Sequence, residues 1–196
     1  MPIEHKLFPM LMHEHQNFLT KEEAAVMTEK LIELGDAQEH VLLAGNSTSS
    51  VDVNQQVLKE FPYLDDRLQS ALDTYTKAAG INDVSVFMSW YNIQDTDSQI
   101  IKHAHPTGVV SGVLYCNAVP GTSGIELQNF LADYMRFCWW DVTEETEYTE
   151  ETHYLPIDVG TLVLIPSNLY HNSLINMTDK RVILAFDAKY HSQLGY

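Results

Sequence analysis

Apolar positions recur at two different periods along this chain, and the change falls near residue 84. Ala24, Met27, Leu31 and Leu34 keep helical spacing. Thr20-Lys21-Glu22-Glu23 ahead of them reads as a capping box, with Thr20 as N-cap, and Gly35 is the natural stop. A second helix is predicted from Asp65 to Ala79, with Leu68, Leu72 and Tyr75 on one face and Gly80 ending it. The polar stretch Gly45-Asn46-Ser47-Thr48-Ser49-Ser50 between the two reads as loop.

From residue 84 onward the pattern is strand-like. Val84–Asn92 is rich in β-formers, and further strands are expected at Gln99–His103, Val109–Cys116, Gly124–Phe130, Thr161–Ile165, Asn172–Ile175 and Arg181–Phe186. Asp95-Thr96-Asp97, Pro106, Pro120-Gly121 and Pro166 punctuate them. Short strands at such intervals predict a mainly β fold, a cupin-like jelly roll covered by N-terminal helices. One domain is expected over 1–196, with 1–80 as helical support and 84–190 as the jelly-roll core.

Composition narrows the function. Twenty-seven acids against eleven Lys and Arg give a formal charge of −16, which disfavours nucleic-acid backbone and anionic membrane as partners. No uncharged apolar run reaches the roughly 18 residues of a membrane span. No cleavable leader pattern follows the first residues. Cys116 and Cys138 make no disulfide framework and fit a reducing cytoplasm. The acids concentrate in Asp141, Glu144, Glu145, Glu147, Glu150 and Glu151, a pattern that reads as a solvated loop. With Trp139 and Trp140, the segment from Phe130 to Tyr154 is either a lid over the mouth of the jelly roll or an exposed loop. The oligomeric state stays open, a homodimer being common among such compact sandwiches.

The chemistry sits in His103-Ala104-His105, with His171 far downstream and Arg181 ten residues after it. Alternate residues of an extended segment share a face, so H-x-H aims two imidazoles at one point. Imidazole suits iron, zinc, copper and nickel. A third histidine from a distant strand would complete one face of a metal and leave the other open. His13-Glu14-His15 is also H-x-H, but with no companion pattern it reads as surface decoration. Arg181 opens an apolar strand, and if it points inward its guanidinium needs an anion, for which its planar fork suits a carboxylate.

The order H-x-H-P, S-G-V-x-Y, P-S-x-x-x-H and then Arg, with Trp90-Tyr91-Asn92 and Leu7-Phe8-Pro9 upstream, resembles the Fe(II)/2-oxoglutarate-dependent oxygenases. More narrowly, it is similar to a family of small 2-oxoglutarate oxygenases of marine bacteria and phages. The resemblance implies a double-stranded β-helix. It implies Fe(II) and 2-oxoglutarate as cofactors, with dioxygen as the oxidant of a C–H bond in a small molecule or protein side chain. His103 and His171 correspond to iron ligands, Arg181 to the residue pairing with the far carboxylate of 2-oxoglutarate, and Tyr115 to a tyrosine assisting it. Asn92 stands where several members place a cosubstrate contact.

Two departures from the usual pattern stand out. The acidic ligand position holds His105, so the metal set becomes His103, His105 and His171, or one of the first two withdraws in favour of water. Position 183 is Ile, which breaks R-x-S and removes a hydroxyl beside the cosubstrate carboxylate. Two other readings stay open: a three-histidine cupin-type dioxygenase working without 2-oxoglutarate, and a non-catalytic jelly-roll binding module.

Overall fold

The computed structural model describes residue 3 and residues 10–118, 124–132, 134, 141–146 and 148–194. Leu7-Phe8-Pro9, Cys138, Trp139, Trp140 and Glu147 lie outside them, and so does much of the segment read as lid or loop.

Both predicted helices form where the sequence places them. In α1 (Lys21–Leu34), Thr20 Oγ1 accepts from the Glu23 N–H at 3.1 Å. The Thr20 N–H donates in return to Glu23 Oε2 at 2.8 Å. Two N–H groups that the first turn would leave unpaired are thereby satisfied. Gly35 then turns left-handed at φ 65° and ends the helix. In α2 (Asp65–Ala79), Leu68, Leu72 and Tyr75 are buried, and Gly80 closes it the same way.

Eleven strands are present among the described residues: β1 His13–His15, β2 Leu43–Ala44, β3 Ser47–Ser49, β4 Val84–Asp95, β5 Gln99–Ile100, β6 Val110–Asn117, β7 Gly124–Gln128, β8 Thr152–Pro156, β9 Leu162–Pro166, β10 His171–Ser173 and β11 Lys180–Tyr190. Six build an antiparallel sheet in the order β1-β9-β6-β11-β4-β3. A smaller sheet runs β10-β7-β8, and β2 pairs with β5. A backbone bridge between His103 and His171 carries the chain after β5 onto β10, so the small pieces run into one another opposite the large sheet.

The large sheet is buried on both faces, which explains why Leu162-Val163-Leu164-Ile165 and Val182–Phe186 are continuous apolar runs. Leu114, Leu162, Leu164, Leu184 and Phe186 face the helices and pack with Met27, Leu31 and Leu72. Val113, Tyr115, Val163, Ile165 and Ile183 face the other way, against Ile125, Leu127 and Leu169. Each large apolar side chain so buried is worth roughly 1.5–3 kcal/mol. Gly112 in S-G-V-x-Y is required by this packing, because a Cβ there would run into the Phe186 ring. This is a double-stranded β-helix with helices on one side.

Three local expectations change. His13-Glu14-His15 is not decoration but the edge strand β1, paired with Leu164 to Leu162 and half-buried against Tyr75. The serine-rich stretch contains β3, which pairs with β4 through its backbone while Ser47 and Ser49 bury their small side chains. Strand β8 begins inside the segment read as lid or loop and runs two residues past it. Its side chains are largely exposed and it lies on a sheet edge, so neither alternation nor burial marks it. The acidic run just before it is exposed at 141–146, as expected. No helix among the described residues is long and apolar enough to cross a membrane.

Candidate active site

The three histidines converge. His103 and His171 are held by a reciprocal backbone pair, each N–H donating to the other's carbonyl at 2.9 Å. His105 is anchored by its own N–H to the Ser167 carbonyl at 2.7 Å. Ring centroids lie 4.4 Å apart for His103 and His171, 5.0 Å for His103 and His105, and 5.1 Å for His105 and His171. One ligand nitrogen from each falls within 4.8 Å of the others, close enough for one ion to draw all three in.

Each ring is also locked from behind. The Nδ1–H of His103 donates to the Ile101 carbonyl and that of His171 to the Leu169 carbonyl, both at 2.8 Å. The Nδ1–H of His105 donates to Asp187 Oδ1 at 2.8 Å. Carbonyls and carboxylates only accept, so these contacts fix the tautomer and leave each Nε2 with a lone pair. Burial pushes the His171 imidazole down to about 3, with His103 adding repulsion, and burial lowers His103 as well. Both rings are therefore neutral at pH 7, the form that binds metal.

Acidification should destabilise the metal-free protein, because below 6.5 the unfolded chain takes up a proton at residue 171 that the folded ring refuses until about pH 3. The expected loss is about 2 kcal/mol between pH 6.5 and pH 5, at about 1.4 kcal/mol per unit. Urea unfolding at pH 7 and pH 5 should show it, and His171→Gln should remove that part of the slope. An unchanged slope in the variant would refute the assignment.

Arg181 occupies another wall of the same cavity, and is 1% exposed. Its Nε–H donates to Gln94 Oε1 at 3.0 Å, and Nη2 to Ser173 Oγ and the Leu174 carbonyl, both at 2.8 Å. None of these partners is a carboxylate. Nη1 has no partner among the described residues, and neither has the buried Asn92 Oδ1. A buried cation held by neutral dipoles with one N–H pair unspent calls for an anion. Tyr115 is buried in the same wall, where burial raises its phenol and the Arg181 charge opposes the rise.

His103, His105, His171, Arg181, Tyr115 and Asn92 all line one cavity of about 450 Å³, mouth included. Sequence reasoning missed Ser173, Gln94 and Asp187. Ser173 stands two residues beyond His171 on β10, so its hydroxyl shares that face of the strand and supplies a contact to Arg181 that Ile183 cannot. Asp187 follows Arg181, Ile183 and Ala185 at strand parity on β11, a signal that was available in the sequence.

A family model described as "Putative 2OG-Fe(II) oxygenase" matches residues 88–187, from β4 to the end of this inward-facing row. The chain belongs to that family. No curated protein matches the sequence. Solved structures agree on the fold. A prolyl-4-hydroxylase from Pseudomonas putida superposes with a TM-score of 0.59 at 13% identity, covering 92% of this chain and 93% of that one. HygX from Streptomyces hygroscopicus, with nickel and 2-oxoglutarate bound, gives 0.66 at 11% identity, covering 93% and 84%. The viral collagen prolyl hydroxylase of Paramecium Bursaria Chlorella virus-1, as its 2-oxoglutarate complex, gives 0.58 at 12%, covering 91% and 96%.

This oxygenase therefore uses Fe(II) and 2-oxoglutarate, with dioxygen and a small-molecule or side-chain substrate. Its residues fit both cofactors. Three converging imidazoles, each held at Nδ1 from behind, suit a divalent transition metal. The unspent Nη1 of Arg181 suits a carboxylate. The family assignment sets aside the reading of a non-catalytic binding module and that of a dioxygenase working without 2-oxoglutarate.

Proposed function

We propose that His103, His105 and His171 hold Fe(II), that Arg181, Ser173, Tyr115 and Asn92 hold 2-oxoglutarate, and that the enzyme hydroxylates a C–H bond. One observation carries the reading: a single cavity joins three converging imidazoles to a buried guanidinium with a free Nη1. Bound iron would supply activation of dioxygen, which takes two electrons from oxidative decarboxylation of 2-oxoglutarate to succinate and CO₂ and two from the substrate C–H bond. The chain supplies everything else. Carbonyl contacts behind His103 and His171 aim their lone pairs before metal arrives, and burial spares the site a proton to expel. Arg181 takes the far carboxylate, and its contacts to Gln94 and Ser173 keep the guanidinium from following the ligand outward. Val113, Ile125, Ile183 and Ala185 line the rest and keep water from the reacting end.

A net charge of −16 supports a substrate other than nucleic acid, and the free thiol of Cys116, buried and pushed up to about 12, suits a cytoplasmic setting. We treat 1–80 as support for the catalytic unit at 84–190.

The test is anaerobic titration of the protein with Fe(II) and then 2-oxoglutarate. The expected result is the weak visible charge-transfer band of the chelate, followed by slow succinate release when air is admitted. His171→Ala should lose the band entirely. Binding of iron with no response to 2-oxoglutarate would overturn the proposal.

A further inference from the structure

A buried carboxylate stands behind the odd ligand of the triad. Asp187 is 3% exposed, and its Oδ1 accepts from the His105 Nδ1–H at 2.8 Å and from the Ser111 hydroxyl at 2.5 Å. Ser111 Oγ lies 2.8 Å from Ser167 Oγ, so two hydroxyls line the same corner. No lysine or arginine pairs with Asp187 among the described residues, and the one basic side chain within reach there is His105. An acid that deep without a cation is costly. The other two triad rings lean on carbonyls, and His105 alone leans on a carboxylate.

We infer that Asp187 is a positioning residue that holds His105 as the third metal ligand and returns, through that imidazole, the negative charge missing from the ligand set. This rests on the proposed iron site. With an acidic ligand, two imidazoles, a dication and the cosubstrate dianion leave one net negative charge. With three imidazoles that charge disappears unless a carboxylate stands close behind. Asp187 stands there, hydrogen-bonded to the ring that replaced the acid. A carboxylate behind a ligating histidine orients the ring and raises its donor strength, and such partners typically contribute 10- to 100-fold in metal affinity. Placement follows from the strand. Arg181, Ile183, Ala185 and Asp187 alternate onto the inner face of β11, so one strand would serve the cosubstrate through Arg181 and the metal, by way of His105, through Asp187. Opposite Asp187, Ser111 on β6 fixes the carboxylate so that its oxygen meets Nδ1.

Co(II) replaces Fe(II) as an air-stable probe, and Asp187→Asn is compared with the unchanged protein. The variant should bind Co(II) about 10- to 100-fold more weakly, with a shifted visible ligand-field band. In a His105→Ala background the same change should do nothing further, because Asp187 acts through that ring. If Asp187→Asn matches the parent in affinity and spectrum, or weakens both backgrounds equally, the inference falls. Should the variant fail to fold, the parent protein still decides. Its Co(II) form in H₂O should show three exchangeable, paramagnetically shifted imidazole N–H signals, one from each ligand, and two would remove His105 from the metal. Failure of Co(II) to bind the parent at all, or of 2-oxoglutarate to perturb its spectrum, would instead count against the metal and cosubstrate assignment beneath it.

Discussion

Arg181→Met should weaken 2-oxoglutarate by about 10²- to 10³-fold while leaving Fe(II) affinity within a few-fold of the parent. The asymmetry comes from geometry. Arg181 and the three histidines share one cavity but no hydrogen bond, so the guanidinium can be removed without disturbing the ligating nitrogens. A bond between a charged donor and a carboxylate is worth about 1.5–3 kcal/mol, and two of them from the unspent N–H pair of Nη1 account for the predicted loss at about 1.4 kcal/mol per decade. Met has nearly the right shape and relieves a buried cation that has no anion, but it leaves Gln94 Oε1 and the Leu174 carbonyl without their donor, at about 1–3 kcal/mol each. 2-Oxoglutarate should therefore raise the melting temperature of the parent but not of the variant, whose ligand-free form should melt lower for its lost buried hydrogen bonds. Arg181→Lys should recover only part, since an ammonium cannot fork. Ser173→Ala should cost about ten-fold, the value of one hydrogen bond to a charged group. Isothermal titration of both ligands decides, and equal losses of iron and 2-oxoglutarate would contradict the assigned role.

Much of this was legible in the sequence for identifiable reasons. Local chemistry fixes the helices: a reciprocal Thr20–Glu23 cap and glycines at 35 and 80 leave few alternatives. The long strands betray themselves by β-rich apolar runs, because both faces of the large sheet are buried. The invisible strands are those whose stability is not in their side chains. β3 is three small polar residues paired through the backbone, and β8 is an exposed edge. The site shows the same division. H-x-H, the distal histidine and the inward arginine could be named because metal and carboxylate chemistry demand those residue types. Ser173, Gln94 and Asp187 could not be named from type alone. Each matters through a neighbour brought from elsewhere in the chain: Ser173 and Gln94 through Arg181, and Asp187 through His105, 82 residues away. Strand parity with Arg181 was the clue for Asp187, but parity alone does not say that an acid at the far end of an apolar strand faces a histidine.

His105→Asp should make the site worse, although it restores the H-x-D that the sequence lacks. An aspartate at that position would face Asp187, whose Oδ1 now lies 2.8 Å from the Nδ1 of the native ring. Two carboxylates would then share a corner with no donor between them, and Ser111 already spends its proton on Asp187. Like charges at such range prevent both from ionising, so the new acid would either hold a proton and ligate poorly or force Asp187 away from its hydroxyl. Leaving a buried carboxylate without its donor costs about 1–3 kcal/mol or more, which should appear as a lower midpoint in urea, with a Co(II) affinity reduced by at least about 10²-fold. The decisive variant is His105→Asp with Asp187→Asn. The amide introduced by the second change could donate to the carboxylate introduced by the first, taking the place of the lost Nδ1–H, so the pair should restore much of what His105→Asp alone removes. Asp187→Asn would then be harmful beside the native histidine and helpful beside an aspartate, with a coupling in Co(II) affinity of about 3 kcal/mol or more at about 1.4 kcal/mol per decade. That reversal of sign distinguishes a matched ligand–carboxylate pair from two residues that merely touch. A single His105→Asp variant that binds metal as tightly as the parent, with Asp187 intact, would show that the histidine at 105 is an interchangeable ligand and that its partner does not matter.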